Sequence, residues 1–254
     1  MTEDLEVKSK NEEPILPELE AGTILCEFYK VVRKIDKGGM GSIIYLVQST
    51  IDNKFYAAKV IYRTEKTTDV QWGSFIDEAV TSGRVLNCPN VVHSYACERE
   101  DKNKIIIIMD YVDGPTLRDV LSQQNHLSIE ETIYIFRKIA VALESLHSFK
   151  HKIIHQDLKP ENIMLSKDRS DVKIIDFGIA NVYIKDEKGK VMLTKKEDVH
   201  GTYAYICPAL VKSVRSASIR KVANKMDVIS QVVEEQLDFY AFGAMLYETL
   251  MGHK

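Results

Sequence analysis

Cysteine, proline and tryptophan are scarce in this chain of 254 residues, which holds four, six and one of them. Cys26, Cys88, Cys97 and Cys207 lie far apart with no C-x-x-C pair, which argues against a zinc knuckle and a disulfide framework and points to a reducing, cytoplasmic setting. Long hydrophobic runs are absent as well. The aliphatic stretch Ile105–Met109 is far shorter than the roughly 18 residues that a bilayer span requires, so no membrane insertion is expected. Neither sign of charge prevails: a formal charge of −3 gives no general attraction to nucleic acid or acidic membranes, and no nucleic-acid partner is expected.

What is present describes an ordinary globular protein with material for a sizeable core, at 45% hydrophobic and 28% charged residues. The first 20 residues carry seven acids and two lysines, with Pro14 and Pro17. They offer neither a basic nor an apolar targeting region, so residues 1–27 read as an acidic, disordered leader. From Tyr29 to Val47 and from Phe55 to Tyr62, Val, Ile and Tyr recur between a glycine cluster and Asp52-Asn53, which predicts strands joined by tight turns. Residues 72–86 have helical spacing. Ile105–Met109 reads as a buried strand closed by Asp113-Gly114-Pro115. Ser128 and Glu131 form a candidate capping box before a long helix whose apolar stripe is read at 129, 133, 136, 140 and 143. Leu237–Gly252 is a second apolar helix candidate, and no repeat shows at solenoid periods.

The densest chemistry lies at 155–178. There the chain reads His155-Gln156-Asp157-Leu158-Lys159-Pro160-Glu161-Asn162, then a polar turn, then Ile175-Asp176-Phe177-Gly178. This run, HxDLKPEN followed by DFG, resembles the catalytic centre of the protein kinase family. The resemblance covers about residues 28–252. Gly-Gly-Met-Gly at 38–41, Glu-Asn-Ile-Met-Leu and Asp-Phe-Gly-Ile-Ala are most similar to the bacterial branch. Lys159 and Thr202 favour serine or threonine over tyrosine as the acceptor.

The resemblance implies an α+β, two-lobed fold with ATP and magnesium between the lobes, a β-rich lobe over 28–112 and a helical lobe over 113–254. It implies Asp157 to orient and deprotonate a hydroxyl, Lys159 to meet the transferring phosphoryl, and Asn162 with Asp176 to hold the metal. Gly38, Gly39 and Gly41 take the place of the phosphate loop, where glycine lets backbone N–H groups approach an anion; alone, the cluster fits a glycine hairpin equally well. Lys59, in Tyr56-Ala57-Ala58-Lys59, would grip the α and β phosphates while Glu78 of the next helix keeps its ammonium oriented. Met109 takes the gatekeeper position, Asp110 and Val112 the hinge, and Ile43, Ala57 and Met164 would sandwich the base. Each of these also suits an ordinary core.

Several positions depart from the family pattern. Asp36 replaces its first glycine, and Gln156 replaces the arginine that clasps a phosphorylated loop in many members. Gly201-Thr202-Tyr203-Ala204-Tyr205-Ile206-Cys207-Pro208-Ala209 is similar to GTxxYxAPE with Cys207 for alanine and Ala209 for the glutamate. Ser82 stands where an apolar residue would stack on Phe177. The stretch 210–226 holds Lys212, Arg215, Arg220, Lys221 and Lys225 without an acid, fitting a solvated helix face or a dock for an acidic partner. His147, His151 and His155 have a metal-like spacing, but 152–154 reads as the exit from the helix, leaving His155 structural.

The resulting expectation is ATP-dependent phosphorylation of serine or threonine in protein substrates. The alternative is a truncated pseudokinase that binds nucleotide or a partner; a fragment of a longer kinase would share the same chemistry. The helical lobe is expected to lack its last helices, leaving Phe239, Phe242, Met245, Leu246, Tyr247, Leu250 and Met251 to be covered by an oligomer or partner chain.

Overall fold

The computed structural model describes residues 16–37, 41–65, 67–85, 87–149, 152–176, 181–185, 191–193, 203–205, 207–208 and 235–252, with Glu78 and Ser82 described by backbone alone. The branched and aromatic residues of the first third form strands β1 (Ile24–Leu25), β2 (Tyr29–Asp36), β3 (Ser42–Ser49) and β4 (Phe55–Tyr62). With β5 (Ser94–Asp101) and β6 (Lys104–Asp110) they make one antiparallel sheet in the order β1-β2-β3-β4-β6-β5. Ile105 to Ile108 of β6 are all buried, so both faces of the sheet are covered. Val31, Ile43, Tyr45, Val47, Ala58, Val60, Ile106 and Ile108 pack on one face. Trp72, Phe75 and Ala79 of helix α1 (Asp69–Arg84) pack against Ile61, Ile105 and Ile107 on the other.

The acidic leader is shorter than its sequence suggests. Leu16 is buried in the outer face of the sheet, the Leu19 N–H donates to the Tyr45 hydroxyl at 2.9 Å, and β1 pairs with β2. The apolar surface of Leu16, Leu19 and Leu25 is removed from water there, which outweighs the acidic composition around them. Residues 1–15 lie outside the described residues.

The second half is helical. Helix α2 (Leu117–Gln124) starts with a full capping box between Thr116 and Asp119. Helix α3 (Ile129–His147) has only half of one: Ser128 accepts from the Glu131 N–H, but the Glu131 carboxylate turns to Arg169. Its buried stripe is Thr132, Ile135, Phe136, Ile139, Ala142, Leu143, Leu146 and His147. Ile129 and Ile133, expected in the core, are exposed, because the stripe that faces β9 and the last helix is rotated from the one read in sequence. Short strands follow: β7 (Ile153–Ile154), β8 (Ile163–Leu165), β9 (Val172–Ile174), β10 (Asn181–Lys185) and β11 (Val191–Leu193). β8 pairs with β9, while β10 joins β7 to β11.

Helix α4 (Glu235–Met251) buries Leu237, Ala241 and Met245, the last two in one core with α3. Met245 is fully buried, contrary to the expectation that it would lose its cover, and Phe242 stacks edge-on with Phe136 at 5.1 Å. Phe239, Tyr247, Leu250 and Met251 are exposed. Among the described residues, no helix is long and apolar enough to cross a membrane.

Among the described residues, backbone joins the two halves at two places, besides the side-chain contacts at the cleft. The chain crosses from β6 to α2 through Gly114, where an added Cβ would lie 2.0 Å from the Leu165 carbonyl oxygen, so only glycine fits that close approach. Beside it, the segment between α1 and β5 pairs with β9. Val92 N–H donates to Ile174 O (2.9 Å), Ile174 N–H to Asn90 O (2.8 Å) and the Asn90 side chain to Val172 O (2.9 Å).

Candidate active site

The catalytic loop leaves β7 buried and re-enters the core at Leu158, so its polar residues are held between fixed apolar points. One carboxylate organises it from below. Asp238, fully buried at the start of α4, accepts from the His155 N–H (2.9 Å) and the Gln156 N–H (2.8 Å), and its Oδ2 lies 2.9 Å from His147 Nε2. Gln156 is thereby held at φ 65°, a left-handed conformation that costs a non-glycine residue about 1–3 kcal/mol when the surroundings must enforce it. The His155 ring, also fully buried, lies 3.2 Å from Ile175 O through Nε2 and accepts from the Asp157 N–H (3.3 Å).

These bonds fix the residues that carry chemistry. Lys159 Nζ lies 2.7 Å from Asp157 Oδ2, both partly buried. Asn162 donates its amide to the Asp157 carbonyl (2.8 Å) and to Oδ2 (3.3 Å), which turns its amide oxygen the other way. The Ile175 N–H bonds the Asn162 carbonyl at 2.9 Å and so fixes Asp176 beside it. Asp176, at φ 62°, places Oδ1 2.8 Å from Lys59 Nζ. Lys59 is a nearly buried ammonium reaching across from the sheet, and the contact joins residues 117 positions apart. The structure thus holds Asp157, Lys159 and Asn162 on one bonded loop, with the Asp176–Lys59 pair attached to it through Ile175. The expected Lys59–Glu78 pair involves a side chain outside the described residues, as do Gly38, Gly39, Phe177 and Gly178.

Sheet register corrects one nucleotide residue. Ile43 pairs with Val60, and both belong to the outer core, away from Lys59. Ile44 stands opposite Lys59 and Leu46 opposite Ala57. Cross-strand partners share a face, so the strand turns Ile44 and Leu46 toward the cleft and Ile43 away from it. Ala57 pairs with Met109, which packs against the α1-side core, so both lie on the Lys59 face. Gly41 takes φ +81° and its carbonyl accepts from the Tyr62 N–H at 3.0 Å, closing the β2–β3 turn onto β4.

At the crossing between the lobes, Asp110 does more than its position suggests. Its N–H is taken by His93 O (3.0 Å), and its carboxylate accepts from the His93 N–H (3.1 Å), the Tyr95 hydroxyl and Lys173 Nζ (2.9 Å). Burial pushes its pKa up, but the bonds from Tyr95, Lys173 and His93 outweigh that and hold it below the ordinary value of 3.8. Tyr95 is correspondingly raised, first by its bond to Asp110. Lys173 is the register partner of Met164, so the two side chains share a face of the β8–β9 pair. Val112 offers its carbonyl to the Gly114 N–H at 3.1 Å.

Two of the three spaced histidines have protein partners. His147 is engaged with Asp238, His155 with Ile175 and Asp157, and His151 lies outside the described residues. Among the described residues no group of three metal-binding side chains occurs.

Two features escaped sequence reasoning. Asp238 was placed on its helix but not under the loop, although a lone carboxylate opening an apolar helix must find donors once buried. Glu248, deep in the same helix, carried the same signal. It meets Arg118 and Tyr205.

A β-rich lobe over a helical one, with lysine, two aspartates and asparagine converging between them, defines a phosphoryl-transfer scaffold of the kinase type. The Protein kinase domain family matches residues 29–254, and the chain belongs to it. Among its relatives is a putative serine/threonine-protein kinase of Mycoplasma pneumoniae, 32% identical over 92% of this chain and 64% of the relative. The counterpart in Mycoplasma genitalium is 34% identical with the same coverage. A probable serine/threonine-protein kinase PknB of Lactococcus lactis is 29% identical over 92% of this chain and 33% of its own length. The chain thus spans 64% of the length of the two mycoplasma relatives.

Proposed function

We propose that the protein transfers the γ-phosphoryl group of ATP, with magnesium, to serine or threonine hydroxyls of protein substrates. The observation that carries this reading is the convergence of Lys59 and Asp176 at 2.8 Å with Asp157, Lys159 and Asn162 on one hydrogen-bonded loop. The donor set fits magnesium: a carboxylate from Asp176 and the amide oxygen of Asn162 are hard oxygen ligands, and such sites leave the remaining positions to water and phosphate. When bound, the metal neutralises charge on the phosphates. Asp157 accepts a hydroxyl proton and aims the oxygen, while Lys159 supplies positive charge where the transferring group gathers it. Lys59 holds the nucleotide from the sheet side. Ala57, Met109, Ile44 and Met164 are the apolar candidates to enclose the base, with Asp110 and Val112 providing backbone groups. A cytoplasmic setting accords with Cys88 and Cys207, which form no disulfide.

The relatives' names support serine or threonine as acceptor, and no observation favours a non-phosphorylating module. The test is incubation of the purified protein with labelled ATP, magnesium and a generic protein acceptor beside the Asp157→Ala variant. Label in the acceptor with the parent and none with the variant is expected. Equal label with both would overturn the reading.

A further inference from the structure

Residues 16–25 double back along β2 and reach over the sheet. Ile24 and Leu25 pair with Lys30 and Tyr29. Val31 bonds through both of its backbone groups: its carbonyl accepts from the Gly22 N–H (2.8 Å) and its N–H donates to Thr23 O (2.8 Å). A turn closed by the Thr23 N–H on Glu20 O (3.1 Å), with Gly22 at φ +95°, then carries the chain onto the outer face. There Leu16 shares a core with Ile43, Tyr45 and Val60, the Leu19 N–H donates to the Tyr45 hydroxyl (2.9 Å), and Glu18 pairs with Lys34.

The two residues so held, Lys34 and Tyr45, are cross-strand partners on the strands that lead into and out of the turn carrying Gly38, Gly39 and Gly41. This part of β2 is weakly fixed by the sheet itself. Register shifts between Val31 and Arg33 and between Lys34 and Asp36 interrupt its ladder to β3, and past Val31 it has, among the described residues, no other strand beside it. An edge strand with an interrupted ladder opens easily. The arm grips the Lys34–Tyr45 pair between the two shifts, from the face opposite Lys59, so it acts on a nucleotide only through the strands. The Glu18–Lys34 pair is 61% and 36% exposed and adds little by itself, which leaves the buried leucine and the Tyr45 bond to form the seat.

We propose that residues 16–25 are a positioning arm for the phosphate end of ATP: seated on the outer face of the sheet by Leu16 and by the Leu19–Tyr45 bond, the arm holds the β2–β3 turn in the place from which it meets the nucleotide. This rests on the protein-kinase reading above. The two are separable, because nucleotide binding is read without turnover.

Three substitutions in the intact chain provide the test. Leu16→Asp puts a charge into the seat and should undock the arm; Tyr45→Phe keeps the buried ring and removes the hydroxyl that accepts from Leu19; Leu16→Ile is the conservative control. Amide hydrogen-exchange protection over 29–37 should fall about tenfold in Leu16→Asp while β6 keeps its own. Calorimetric titration with ATP and magnesium should show affinity weakened about fivefold or more in Leu16→Asp, about threefold in Tyr45→Phe, and parental in Leu16→Ile. At saturating ATP, kcat and the KM for a protein acceptor should stay within about twofold of the parent. Where Leu16→Asp fails to fold, Tyr45→Phe decides. Parental affinity for ATP in every folded variant overturns the proposal. So does a loss of kcat without a loss of affinity, which marks a mere loss of folded protein. A parent whose ATP affinity depends on the arm but which labels no acceptor would sink the kinase reading and leave the arm's role intact.

Discussion

Replacing Asp238 with alanine should both loosen the fold and disarm the loop. The carboxylate is fully buried and accepts from the His155 and Gln156 N–H groups at 2.9 and 2.8 Å while facing the His147 ring. Without it, each buried backbone N–H left unpaired costs about 1–3 kcal/mol, hence about 2–6 kcal/mol for the pair. A domain's whole stability is about 5–15 kcal/mol, so the variant keeps a fraction of the parent's margin. The left-handed Gln156 loses the bond that enforces it, and the loop relaxes toward an ordinary φ. Asp157 is the next residue, and a shift of about 1 Å in a reacting group lowers turnover about 100-fold. Asp238→Asn keeps one acceptor oxygen but turns an amide donor toward the second N–H, so it should fall between parent and alanine. Urea unfolding followed by circular dichroism gives the stability term, and single-turnover transfer at saturating ATP gives the chemical one. An alanine variant within about 1 kcal/mol of the parent, turning over within about twofold of it, would refute the reasoning.

Lys59→Ala, Asp157→Ala and Asp176→Asn should each abolish transfer, and their combinations should lose no more than the worst single variant, because the groups act on one transition state; Asp157→Ala alone should leave nucleotide binding near the parental value by calorimetry. Asp110 is held below its ordinary pKa, so its bonds to Tyr95, Lys173 and His93 stabilise the fold at and above the ordinary carboxylate range and are lost as pH falls below it. Asp110→Asn should therefore lower stability near neutrality and flatten the acid limb of a pH–melting curve; an acid limb identical to the parent's would contradict the assignment. Gly114→Ala pushes a methyl into the Leu165 carbonyl at 2.0 Å and should cost at least about 3 kcal/mol by denaturant titration, far more than an exposed glycine replacement.

The catalytic loop was legible because its residues are contiguous, so one short run carries the family resemblance that implies their roles. Sheet positions were harder. Ile43 and Ile44 are adjacent isoleucines, and a shift of one residue exchanges faces, which composition cannot resolve. The register shifts in the β2–β3 pair, between Val31 and Arg33 and between Lys34 and Asp36, show that counting along the strands does not fix their facing. The stripe of α3 failed for a related reason: isoleucines at 129 and 133 fit a helical period but face water, while Thr132 lies in the core with its hydroxyl bonded to Ser128 O at 2.7 Å. Acids were misjudged by locality. Glu131 was assigned to its own helix cap and instead reaches Arg169, and the bonds of Asp238 and Glu248 connect residues too distant in sequence for any window to join.

The two backbone attachments described between the lobes restrict how the cleft can open once the side-chain pairs across it part. A plate joined to a base at one point can swivel, tilt and twist; joined at two, it turns only about the line between them. Here one fixing is the covalent crossing at Gly114 and the other is the bonding of Asn90 and Val92 to β9. The sheet should therefore swing like a door on two pins, with sideways shear suppressed. The C-terminal end of α1 leads into the second pin and should travel least as the sheet swings.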